Sequence, residues 1–150
     1  MSGIPEAALC WKLKSVNAIN NAATGGIYPR IAPEKKAPPY IIVDRPPGQE
    51  RPQLASGPAQ LIKTPMTIYC VGSQLGGYLE SRAIARLIPP QINPSGVTGS
   101  VQWNGTWIDH CTCSQTYEAS APPNVADEIG YPIEAIDIVL FHFECDSNGS

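Results

Sequence analysis

The alternation of apolar and polar residues is clearest near the end of the chain. Residues 133–144 alternate as IEAIDIVLFHFE, which predicts one long, half-buried strand. One face carries Ala135, Val139, Phe141 and Phe143, and the other carries Glu134, His142 and Glu144. Ile136, Ile138 and Leu140 make the second face partly apolar as well. The strand is therefore either central in a sheet or has one face that meets a partner.

The segment VQWNGTWID predicts a tight β-hairpin. Asn104-Gly105 is a favoured two-residue turn, and it places Trp103 opposite Thr106 and Gln102 opposite Trp107. The two indoles then either pack diagonally across the hairpin or present an aromatic anchor to a partner, since Trp is enriched at binding hot spots. The second arm continues through DHCTCSQTYE.

Two segments show the spacing of amphipathic helices. Within residues 5–22, apolar side chains recur every three or four positions: Leu9, Leu13, Val16 and then Ile19 or Asn20. Gly25-Gly26 ends this segment. A second helix is predicted over residues 78–88, with Leu79, Ala83, Arg86 and Leu87 at helical spacing and Ile84 and Ile88 alongside, and Pro89-Pro90 stops it.

Two further strands are predicted at residues 40–45 and 61–71. A proline-rich approach, GGIYPRIAPEKKAPPY, precedes the first, and Pro65 in the second removes a backbone donor, which indicates an edge position or a bulge. Between them, residues 46–59 are polar and proline-rich, which predicts a long loop or an extended hairpin arm of the kind that is usually functional or interfacial.

The predicted order of elements is α-β-β-α-β-β-β. Strands outnumber helices and hairpins supply antiparallel neighbours, so the sequence predicts an α+β fold with a mainly antiparallel sheet, two helices packed on one face, and the extended loop or hairpin arm. A length of 150 residues is most simply one domain, covering residues 1–150.

The composition and charge of the chain favour some classes of function over others. Charged residues make up 15% of the chain, below the usual quarter or so, which favours a surface partly covered by partners. The net charge is -3, and the longest basic run is Lys35-Lys36, so direct nucleic-acid recognition is not expected. No apolar run is long enough to span a bilayer, and no secretory signal is expected.

The candidate chemistry centres on HCTC, residues 110–113. On a strand, Cys111 and Cys113 share one face while His110 points away, and the usual zinc-ligand spacings are absent. The five scattered cysteines, Cys10, Cys70, Cys111, Cys113 and Cys145, are interpreted as buried free thiols in a reducing cytosol. The segment GSQLGG is interpreted as a strand-to-helix connector. We therefore expect no catalytic residues, cofactor or metal; a small zinc- or thiol-dependent enzyme centred on these residues is the competing hypothesis.

The order of features resembles a known family. An N-terminal helix is followed by GGIYPRIAPEKKAPPYIIV, a loop, a strand ending TIYCVGS, a connector, the helix LESRAIARLI, and a β region with a long last strand. This pattern, over about residues 9–143, resembles the tail-completion, or tail terminator, proteins of long-tailed bacteriophages. Gly76-Gly77 departs from the acidic or polar residue that is typical there, and residues 89–100 are hard to match.

The resemblance implies a structural virion protein that is not an enzyme. Family members form a ring, commonly a homohexamer, that assembles in the host cytoplasm. The ring caps the tail tube, which is a polymer of the tail tube protein, and joins it to the head-tail connector at the head-tail junction. A head-closure or other neck protein is the alternative. Subunit contacts are then expected from residues 28–40 and 49–57 and from the hairpin, at Tyr28, Pro29, Arg30, Pro39, Tyr40, Gln49, Glu50, Arg51, Leu54, Trp103 and Trp107.

Overall fold

The computed structural model describes residues 5–30, 37–45, 59–73, 77–92, 101–119 and 132–145. Four helical segments occur in these ranges: α1 (Pro5–Ser15), α2 (Asn17–Ala22), α3 (Gly77–Leu87) and α4 (Pro89–Ile92). Six strands occur with them: β1 (Ile27–Pro29), β2 (Tyr40–Asp44), β3 (Ala59–Val71), β4 (Val101–Trp103), β5 (Thr106–Ala119) and β6 (Ile133–Cys145). None of these helices is long and apolar enough to cross a bilayer.

The strands form one six-stranded sheet in the order β1-β2-β3-β6-β5-β4. Only β1 and β2 run parallel; the other neighbours are antiparallel. The predicted α+β class with a mainly antiparallel sheet is therefore confirmed. The predicted loop or arm at residues 46–59 lies outside the described residues except for its last position, Ala59, which begins β3.

The main hydrophobic core lies between the helices and one face of the sheet, which we call the helix face. Leu9 and Leu13 of α1, and Ile84 and Ile88 near α3, pack there against apolar residues of every strand, such as Ile136 of β6. Full burial of a side chain of this size stabilises the folded state by about 1.5–3 kcal/mol. The helix face therefore supplies most of the apolar burial of the described chain.

A smaller buried cluster occupies the opposite side of the sheet. Tyr40 and Ile42 of β2, Val71 of β3 and Ile133 of β6 are buried there, at one end of the sheet. Tyr28, Tyr69 and Ala119 pack against them. The sheet is consequently apolar on both sides at this end.

The N-terminal helix is interrupted where the sequence predicted one continuous segment. Val16 has an extended backbone, with φ -92° and ψ 110°, and it separates α1 from α2. Leu9, Leu13 and Ile19 are buried as predicted, while Val16 is half-buried. The break lets the short second helix turn its single isoleucine into the same core.

The buried face of α3 differs from the predicted stripe. Ser81, Ile84 and Ala85 are buried, whereas Leu79 is 82% exposed. The apolar residues of this helix cover more than one face, so their spacing alone did not show which of them are buried. Ile88, just beyond the helix, completes the buried row.

The long final strand is central, as one of the two sequence interpretations required. It pairs with β3 along one side and β5 along the other. The predicted core face is reversed, however: Ile136, Ile138 and Leu140 belong to the main core, with His142 also buried on that face. Because both faces of this strand carry apolar residues, alternation could not show on which side the helices lie.

Candidate interaction surfaces

One unit at an edge of the sheet consists of residues 25–30 and 37–44, the described part of the proline-rich approach and of the strand that follows it. Ile27 pairs with Ile41 and Pro29 with Val43 in the parallel register of β1 and β2. The Gly25 amide donates to the Pro39 carbonyl at 2.7 Å, which fixes the start of the unit. A side chain at Gly25 would collide with the carbonyl oxygens of Ala37 and Pro39, so this close approach requires glycine.

The predicted contact residues of this edge unit differ in exposure. Pro29 and Arg30 are exposed, Tyr28 and Pro39 are half-buried, and Tyr40 is buried in the smaller cluster. The Tyr28 hydroxyl donates to the Gly25 carbonyl oxygen. Pro29 and Arg30 therefore offer the area of this unit that a neighbouring chain can contact, whereas Tyr40 stabilises the protomer itself. Gln49, Glu50, Arg51 and Leu54 lie outside the described residues.

An ion pair ties the edge unit to the first helix. The Arg30 guanidinium lies 3.2 Å from Oε2 of Glu6, measured from Nε, and Glu6 is 1% exposed. A carboxylate buried this deeply is stable only when a cation or hydrogen-bond donors compensate its charge. Arg30 thus has a structural role in addition to any contact with another chain.

The two tryptophans of the hairpin lie on opposite faces of the sheet. The predicted turn and register are present, with Trp103 opposite Thr106 and Gln102 opposite Trp107. Trp103 is 5% exposed in the main core, with the Lys12 ammonium 5.9 Å from its ring, whereas Trp107 is 50% exposed. The indoles therefore do not pack diagonally, and of the two only Trp107 is exposed.

Trp107 begins an aromatic stripe on the side of the sheet opposite the helix face, which we call the open face. Phe143 lies directly across from Trp107 on β6. The rings of His110 and Phe141 stack next to them, with centroids 4.1 Å apart and an angle of 14° between planes. Val139 continues the stripe. No helix among the described elements packs over these residues.

A polar cluster around Asp137 interrupts the apolar surface of the open face. Its carboxylate accepts hydrogen bonds from Thr67 at 2.9 Å, Gln115 at 2.6 Å and Tyr117 at 3.1 Å. Burial and the negative charge of Asp137 together raise the pKa of Tyr117 to about 12. These donors come from both neighbours of β6, so the cluster joins the three longest strands.

The residues of the HCTC motif do not converge on one site. Cys111 and Cys113 face the helices, where Cys111 is buried in the main core and Cys113 packs against it. His110 is exposed on the open face, where its Nδ1 lies 2.6 Å from Oδ2 of Asp109. Burial raises the pKa of both thiols, which makes them poor nucleophiles. In the part of the chain that the structure describes, no group of three or more His, Cys, Asp or Glu residues is placed to hold a metal ion.

Comparison with known proteins finds no matching family model and no curated protein similar in sequence. The interpretation of the surfaces therefore depends on their geometry and on the sequence resemblance. Sequence reasoning missed two features of these surfaces, the strand β1 and the Asp137 cluster. A three-residue strand produces too short a pattern to detect, and a cluster assembled from three strands leaves no local signal.

Proposed function

We propose that this chain is a structural protein of a long-tailed bacteriophage, a tail terminator. It forms a ring of six copies, the number common for such proteins, on the end of the tail tube and joins the tube to the head connector. Its function is binding alone: contacts between copies close the ring, and the ring presents a new surface in place of the growing tube end. The sequence resemblance and the α+β fold support this proposal.

The observation that carries the proposal is the placement of the proline-rich unit. The described residues of the family-like stretch include β1 and most of β2, and among the described strands β1 lies at an edge of the sheet, with Pro29 and Arg30 exposed. A segment that prolines make stiff loses little conformational entropy when it contacts a neighbouring chain. An edge position gives such a segment access to a second copy without disturbing the core.

The exposed indole on the open face supplies a second surface suited to assembly. Trp107 is half exposed beside Phe143, and tryptophan is among the side chains that contribute most to protein interfaces. A ring subunit has two different contact surfaces, because head-to-tail contacts close a ring. The β1 edge and the aromatic stripe are the two surfaces that we assign to these contacts.

The direct test of this function uses uncapped tail tubes from the matching phage. We expect the purified protein to bind tube ends in electron micrographs and to stop the addition of further tube subunits. Trp107→Ser should reduce end binding by about tenfold or more, which corresponds to about 1.4 kcal/mol. Trp11→Ser is the matched control, since Trp11 is 45% exposed but lies on α1. Equal loss in both variants, or no end binding by the parent protein, would contradict the proposal.

A further inference from the structure

The strand β5 has a long edge with no partner strand among the described elements. β4 pairs only with residues 106–108 of β5, while β6 follows the other side of β5 to Ala119. No backbone hydrogen bond from residues 109–119 to a partner other than β6 occurs within the described chain. In an antiparallel strand every second residue directs its amide and carbonyl outward, so this edge can bind another strand.

Another edge among the described strands carries residues that oppose such pairing. β2 covers only residues 67–71 of β3, and the adjoining described residues of β3 include Lys63 and Pro65. Lysine, proline and β-bulges are devices that natural edge strands use against unwanted pairing. Residues 109–119 of β5 contain no lysine or proline. The two register irregularities of β5 lie near Asp109 and Ser114, which leaves residues 115–119 in regular pairing with β6.

A groove on the helix face accompanies this regular part of the edge. It has a volume of about 530 Å³ and is lined by Arg82, Arg86, Pro89, Pro90, Thr116 and Glu134. Arg82 forms ion pairs with Glu118 and, at 3.6 Å, with Glu134. Arg86 is exposed, and no acidic side chain of the described residues pairs with it. The two arginines and two glutamates at the groove balance in charge, and Arg86 is the one of these arginines that has no ion-pair partner among the described residues.

We propose that residues 115–119 of β5 are a strand-addition site for an extended segment of another protein that carries a carboxylate side chain. The segment adds to the sheet through main-chain hydrogen bonds. Its side chains alternate between the two faces, and one carboxylate on the helix face pairs with Arg86. The proposal is independent of the ring, because neither β1 nor Trp107 contributes to this edge.

A panel of short fluorescent peptides tests the site by anisotropy. Each peptide has a central Glu flanked by varied Val, Ile, Thr and Tyr residues. We expect members of the panel to bind, and N-methylation of alternate backbone amides to weaken binding by about tenfold or more, since those amides form the ladder. Arg86→Glu should cause a similar loss and should allow binding of the peptide with Lys in place of Glu. Lys14→Glu, an equal charge change on an exposed residue of α1, should leave binding unchanged.

Amide hydrogen exchange shows where the peptide lies. We expect the amides of residues 115–119 that point away from β6 to exchange rapidly in the free protein and slowly with peptide bound, whereas the amides that pair with β6 exchange slowly in both. The proposal is overturned if no peptide of the panel binds, or if Arg86→Glu and N-methylation have no effect. It is also overturned if the amides that point away from β6 are already slow in the free protein, or become slow as protein concentration rises, because the chain itself or a second copy then occupies the edge.

Discussion

At the scale of single residues, the cysteines are placed for packing and not for reactivity. Cys10, Cys70 and Cys111 are buried in the core between helices and sheet. Burial raises the pKa of Cys10 from 9.0 to about 12. The neutral thiol is thus the form that the folded protein accommodates. The sequence interpretation of free, buried thiols agrees with this placement for Cys10, Cys70 and Cys111, whereas Cys113 is only half-buried.

This burial predicts a dependence of stability on alkaline pH. The unfolded state ionises Cys10 near pH 9 and the folded state only near pH 12, so the free energy of unfolding should fall as pH rises between these values. Below pH 9 the contribution is fully present. Denaturant unfolding of the parent protein and of Cys10→Ala should give parallel pH profiles below pH 9 and a shallower fall for the variant above it. Profiles that stay parallel above pH 9 would contradict the assignment.

The Asp137 cluster gives a second prediction at this scale. Asp137→Asn removes the charge and one acceptor from a group that holds Thr67, Gln115 and Tyr117. We expect a loss of about 1–3 kcal/mol in the free energy of unfolding, and a fall in the pKa of Tyr117 from about 12 toward its usual value. Urea denaturation and NMR titration of the tyrosine ring measure the two effects.

Asp109→Asn is the matched control for this cluster. Asp109 is an exposed aspartate on the neighbouring strand, and its described partner is the adjacent His110. It should change stability by less than about 0.5 kcal/mol. If both variants lose equal stability, or if the pKa of Tyr117 does not move in Asp137→Asn, the cluster does not act as described.

At the scale of elements, the hairpin turn is the feature that the sequence specified most completely. Asn104 and Gly105 both have positive φ, 50° and 86°, as a two-residue turn of this type demands. Gly105→Ala should lower the free energy of unfolding by about 1 kcal/mol. The cause is backbone conformation alone, because nothing lies within 4 Å of an added Cβ. Thermal unfolding measures this change. The exposed Gln102→Ala is the control, and it distinguishes backbone strain in the turn from a general loss of hairpin stability.

The elements differ in how far the sequence could predict them. The hairpin register, the extent of β6 and the position of α3 followed from local signals: a turn dipeptide, alternation and a proline stop. The break at Val16 and the burial of Ile138 in place of Val139 did not, because tertiary packing decides between two apolar faces. Pro65 pairs with Val139 of β6 and lies beyond the part of β3 that β2 covers, so its predicted edge position stays a prediction.

At the scale of the whole molecule, most residues that stabilise the described chain are distinct from the exposed residues that we propose as contacts between copies, although Arg30 also pairs with buried Glu6. The helices and the helix face supply the core, while exposed groups lie at Pro29 and Arg30 on one edge and at Trp107 on the open face. Of the predicted contact residues, Tyr40 and Trp103 are largely inaccessible within the protomer. The sequence could identify aromatic candidates, but only the strand register shows which of them point away from the core.

Native mass spectrometry of the purified protein, without added metal, tests whether the chain forms the proposed ring. We expect a homohexamer of bare chains, and a smaller hexamer fraction for Trp107→Ser than for Trp11→Ser. If the protein is a bare monomer, the ring would have to assemble on the ends of tail tubes, and binding to tube ends would be measured next. A monomer carrying one zinc ion would contradict the account, because it would assign the histidines and thiols to a metal centre in place of a ring subunit's core.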